Sequence, residues 1–89
     1  MHIKELAKYV SLMAEDRELT YWLTDWSIVI YGKDDKAVEV DFIMSEFDTS
    51  FNMFYFKNYK DCDVALVESF DLREPNSFNV INTWIDMIV

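Results

Sequence analysis

Glycine, proline, cysteine and histidine each occur once in this chain of 89 residues, and each scarcity excludes something. A single glycine builds neither a G-x-G-x-x-G turn nor a Walker A loop, which need several glycines to bring backbone close to phosphate. One glycine and one proline also argue against a disordered linker, a class of segment enriched in both. Cys62 has no partner for an internal disulfide and cannot make a thiolate-rich zinc site alone. His2, beside a terminus, is a poor general base, because a Ser-His or Cys-His arrangement needs the imidazole held within hydrogen-bond reach. Basic residues are scarce as well. Eight Lys and Arg face seventeen Asp and Glu, for a net charge of −9. Charge attraction to DNA, RNA or anionic lipid is excluded on that balance, and no Lys/Arg cluster or basic stripe accompanies the aromatics.

Long apolar runs are missing too. None approaches the ~20 residues of a membrane span. The first residues, MHIKELAKYV, mix charge with apolar side chains and contain no h-region of a secretory signal. With a single cysteine and no Asn-X-Ser/Thr sequon, the expected setting is a reducing cytoplasm.

What the chain does have is apolar bulk. Seven Phe, five Tyr and three Trp each bring roughly 150–250 Å² of buriable surface. A chain of this length buries about 60–65% of its unfolded surface, so these side chains are enough for one compact domain, residues 1–89.

Periodicity gives the elements. Residues 2–15 place Ile3, Leu6, Ala7, Val10, Met13 and Ala14 on one helical stripe. Residues 16–25 fit helix or strand, and a short helical segment is the favoured reading. Residues 26–31 and 37–44 are strands around a turn at 32–36, where the one glycine suits a positive φ. In the second strand Val38, Val40, Phe42 and Met44 alternate with Glu39, Asp41 and Ile43, so one sheet face is wet. After a turn at 45–50, residues 51–57 form a strand apolar on both faces. Residues 63–72 read as a fourth strand with Val64, Leu66, Phe70 and Leu72 on one side, and a helix over 61–69 as the alternative. Asn76 or Ser77 is positioned to cap a helix over 78–88. The expectation is an α+β fold. An antiparallel meander of three or four strands carries an N-terminal and a C-terminal helix on one face.

The search for chemistry assigns no catalytic, cofactor or metal site. Cys62 lies between Asp61 and Asp63, whose charges disfavour a thiolate. Asp34-Asp35 and Asp61/Asp63 offer oxygen ligands without the spacing or the turn glycine of a calcium loop. Glu39 and Asp41 project side by side on a strand, about 7 Å apart. That suits a carboxylate pair in a glycosidase, but an acid–base pair needs a cleft that raises one pKa, and nothing in the pattern makes one.

The acid is concentrated. Residues 1–24 are nearly neutral, whereas 34–48 carry Asp34, Asp35, Glu39, Asp41, Glu46 and Asp48 against Lys36 alone. These six are the candidate partner-binding residues. A dense acidic surface steers a basic partner, such as a nucleic-acid-binding enzyme whose channel accepts spaced phosphates. In length, charge and helix-sheet-helix order the chain resembles small acidic inhibitors made by phages, anti-CRISPR proteins among them. That resemblance implies a non-enzymatic, stoichiometric inhibitor acting as a DNA mimic in the host cytoplasm, and no residue roles carry over with it. The alternative is a small assembly or scaffolding subunit, a homodimer joined through the 78–88 helix and the third strand.

Overall fold

Leu6, Val10 and Ala14 are fully buried along one stripe of a helix, α1, that spans Ile3–Asp16. Its end is a Schellman motif. The Leu19 N–H reaches the Ala14 oxygen at 2.9 Å and the Glu18 N–H reaches the Glu15 oxygen at 3.0 Å, with Glu18 in the left-handed region at φ 58°. The computed structural model describes residues 3–42 and 50–89. Within them the chain continues through β1 (Thr20–Leu23), β2 (Ser27–Tyr31), β3 (Ala37–Phe42), β4 (Ser50–Asn58), β5 (Asp63–Asp71) and α2 (Ser77–Asp86). The strands follow chain order in one sheet, every neighbouring pair antiparallel. The α+β architecture is the expected one, with five strands in place of three or four.

The additional strand is β1, in the stretch whose spacing favours a short helix. Alternation wins over the helical spacing there because the hairpin closes tightly. The Thr24 N–H bonds the Ser27 oxygen at 2.8 Å, and the Thr24 hydroxyl accepts the Ser27 N–H at 3.0 Å. Tyr21 then stands opposite Ile30 and Leu23 opposite Ile28.

One face of the sheet carries the core. Ile28, Ile30, Val38, Val40, Phe42, Phe51 and Met53 meet Leu6, Val10 and Ala14 of α1 and Ile81, Trp84 and Ile85 of α2, with Ile88 beyond it. Phe70 stacks on Phe51 at 5.6 Å and presents its edge to Trp84 at 6.3 Å.

Three local expectations are corrected. Gly32 does not have a positive φ; Asp34 and Asp35 do, at 55° and 61°. Asn76 occupies the N-cap of α2 without a side-chain cap bond, while the Ser77 hydroxyl donates to the Asp71 oxygen at 2.7 Å. The segment 63–71 is strand rather than helix, but Val64 is not on the side of Leu66. Tyr55 pairs with Leu66 and Phe56 with Val64, so Ala65 is an extra residue in a bulge and Val64 moves to the opposite face.

Candidate functional site

The sheet face away from the helices is not simply wet. The register sets Trp22, Val29, Glu39, Phe54 and Val67 in one row across all five strands. Beside it Tyr31, Ala37 and Phe56 form a second row, and Ser27, Asp41 and Asn52 a third. Val29, Ala37 and Phe56 are buried here, and among the described residues Tyr31, Phe54 and Tyr59 pack against them. The Tyr59 ring meets Phe56 edge-on at 5.0 Å and Tyr31 at 5.5 Å. Its N–H donates to the Asp35 oxygen at 2.8 Å, which fastens the β4–β5 turn to the β2–β3 turn.

Glu39 therefore stands between Val29 and Phe54, half-buried, with Asp41 next on the same face. Burial raises its carboxyl to about 7, helped by the hydrogen bond it shares with Asp41 and by the Asp41 charge. The Tyr59 phenol is also raised, first by burial and then by Tyr31 and Glu39. The row ends in exposed apolar side chains on both edges: Trp22 is 59% accessible and Val67 57%. The outer face thus combines a carboxylate pair with aromatic and aliphatic side chains, and the aromatics are of the kind enriched at protein interfaces.

The six acidic candidates separate on this frame. Glu39 and Asp41 come together on the outer face. Asp34 and Asp35 lie beyond Ala37, which is about 13 Å along β3 from Asp41. Their turn contains Lys33 and Lys36, and the adjoining turn contributes Lys60, 3.5 Å from Asp35, with Asp61. Three acids and three bases make that end locally neutral. Glu46 and Asp48, with residues 45–49 of the expected turn, lie outside the described residues, and Ser50 opens β4.

The surfaces expected to join a homodimer are used in part within the fold, while Phe54 of β4 and Met87 beyond α2 keep accessible surface. Ser77, Ile81, Trp84 and Ile85 of α2 face inward, and β4 is an interior strand with Phe51, Met53 and Phe56 buried. The sequence does not point to Trp22, Val29, Phe54 and Val67 as one row, because their proximity is cross-strand and because the spacing over 16–25 favours helix. The alternation of Trp22 against Tyr21 and Leu23 is the available signal.

Other chemistry is sparse among the described residues. No three His, Cys, Asp or Glu side chains gather as a metal site, and no helix is long and apolar enough to cross a membrane. Cys62 is exposed in the β4–β5 turn. An open depression of about 400 Å³ on α2 is lined by Asn76, Asn79, Val80, Thr83 and Trp84, without an ionisable group. No family model, curated protein or solved structure matches the chain.

Proposed function

We propose that this chain is a non-enzymatic binding protein that docks its outer sheet face on a basic protein and regulates it one to one. A nucleic-acid-binding enzyme is the partner class this suits best, since such enzymes carry basic clefts for phosphate. The observation that carries the reading is the cross-strand row of Trp22, Val29, Glu39, Phe54 and Val67, with Asp41 beside it. Aromatics at the row supply contact area, and the carboxylate pair supplies a site for Arg or Lys. The net charge of −9 adds long-range steering toward a basic surface. On this geometry the interface is a mixed aromatic and acidic patch rather than a long run of phosphate-like charges.

The test is capture of the partner from the native host with the wild-type chain and with a Glu39→Lys, Asp41→Lys chain. Retention is compared at about 0.05 M and about 0.5 M salt, where surface electrostatics differ most. One basic protein should be retained in equimolar amount, with affinity about tenfold weaker or worse in high salt and on reversal. A retained partner indifferent to both salt and reversal would sink the proposal.

A further inference from the structure

The sheet has two edges of very different length. β1 has four residues, and β5 has nine. Among the described residues Asp63–Ser69 of β5 pair with β4 alone, which makes this stretch a sheet edge. Every residue from Asp63 to Ser69 is exposed. Val64, Leu66 and Val67 are 40%, 42% and 57% accessible, and they occupy both faces of the strand. A long edge with exposed apolar side chains on each face is a template for another strand.

The charges on that edge choose among strands. Asp63, Glu68 and Asp71 are acidic, and β5 contains no Lys or Arg. Glu68 lies opposite the buried Met53, on the same face as Leu66 and Phe70. A charge on this face of an edge strand is a known barrier to edge-to-edge pairing. A second copy's β5 would bring only further carboxylates, and the β1 edge, TYWL, brings no base. Two chains of net charge −9 repel besides. A strand with Lys or Arg beside Glu68 meets the opposite situation, because an opposite-charge cross-strand pair is favourable. On the other face its side chains fall beside Val67, at the end of the apolar row.

We infer that β5 is the docking edge for an extended partner segment in which basic side chains alternate with apolar ones, added to the sheet as a sixth strand. The basic residues face Glu68, and the apolar residues continue the row that runs from Trp22 to Val67. This rests on the basic-partner reading above and specifies how such a partner is held.

The probe is a capped peptide of about ten residues alternating Val and Lys, long enough for one typical strand. One control replaces Lys by Glu, and another methylates alternate backbone nitrogens, which removes strand hydrogen bonds. Binding to the full chain is measured by fluorescence anisotropy, and amide exchange by NMR. The Val-Lys peptide should bind and slow exchange across Val64–Glu68 by about tenfold or more. Glu68→Lys and backbone methylation should each weaken it about tenfold. The inference is overturned if the peptide does not bind, if the methylated or Glu peptide binds equally, or if protection falls only on β1 to β3. Self-association through β5 at micromolar concentration overturns it as well. Loss of the captured partner on Glu39 and Asp41 reversal, with no peptide binding, would leave the outer-face reading standing and remove the edge. Peptide binding with β5 protection, but a partner indifferent to reversal and salt, would do the converse.

Discussion

A side chain on Gly32 would have to occupy space already filled by the backbone oxygen of Ile88. The two are also joined through the next residue, since the Lys33 N–H donates to that same oxygen at 2.9 Å. The chain end beyond α2 is thus laid against the β2–β3 turn, and the glycine is required for close approach rather than for φ. Gly32→Ala should destabilise the fold by about 1–3 kcal/mol, the usual penalty for overpacking. Urea unfolding measures it. A loss below a few tenths of a kcal/mol would show that the C-terminal segment yields easily.

Among the described residues, the positions that do adopt left-handed backbone are Glu18, Asp34, Asp35 and Cys62. Asp tolerates this region better than most residues; Glu does not share that advantage. Glu18 is the C′ residue of the motif that ends α1, where glycine is favoured. Glu18→Gly should therefore stabilise the chain by about 0.5–1 kcal/mol, despite the greater freedom glycine gives the unfolded state. A fall in the urea midpoint would show that relief of the left-handed backbone does not outweigh that freedom.

Arg17 holds the two helices together. Its Nε donates to Asp86 Oδ1 at 2.7 Å, its Nη2 to Asn82 Oδ1 at 2.9 Å, and its Nη1 to the Met13 oxygen at 2.9 Å. Asp86 is well exposed, with 65% of its side chain accessible, so the ion pair by itself is weak. The fork geometry is what matters, and lysine cannot reproduce three directed bonds. Arg17→Lys should destabilise by about 1–2 kcal/mol, and Asp86→Asn by less. Equal stability of Arg17→Lys and wild type would reduce the cluster to a surface contact.

Legibility follows how local each determinant is. The α1 stripe and the Val38, Val40, Phe42 alternation are readable because each element's own period decides its buried face. β1 is not, since Leu19, Trp22 and Leu23 satisfy a helical spacing and only pairing with β2 selects the strand. The bulge at Ala65 leaves no mark in the pattern, so simple alternation puts Val64 on the wrong face. Glu39 is a candidate on charge alone, but its half-buried state depends on Val29 and Phe54 from neighbouring strands. The glycine rule fails at Gly32 because the contact that demands glycine comes from residue 88, far along the chain.

Glu39 also gives the molecule a pH dependence of definite sign. Its carboxyl lies at about 7 in the folded chain against 4.5 ordinarily, through burial first and then Asp41. The folded state therefore holds a proton more tightly than the unfolded one between those values. That contribution to stability is complete below about 4.5 and is lost as pH rises through about 7. Because the site is only half-buried, solvent screening limits the loss to about 1 kcal/mol. Wild type should weaken between about pH 5 and pH 8 by urea unfolding, on this linkage, while Glu39→Gln should show a flatter profile and exceed wild type at the alkaline end. Binding moves the other way. Deprotonation adds a second negative charge beside Asp41, so affinity for the captured basic partner should rise over the same interval and stay flat in Glu39→Gln. Stability and affinity that trend together in wild type would mean that the Glu39–Asp41 pair is not in the interface.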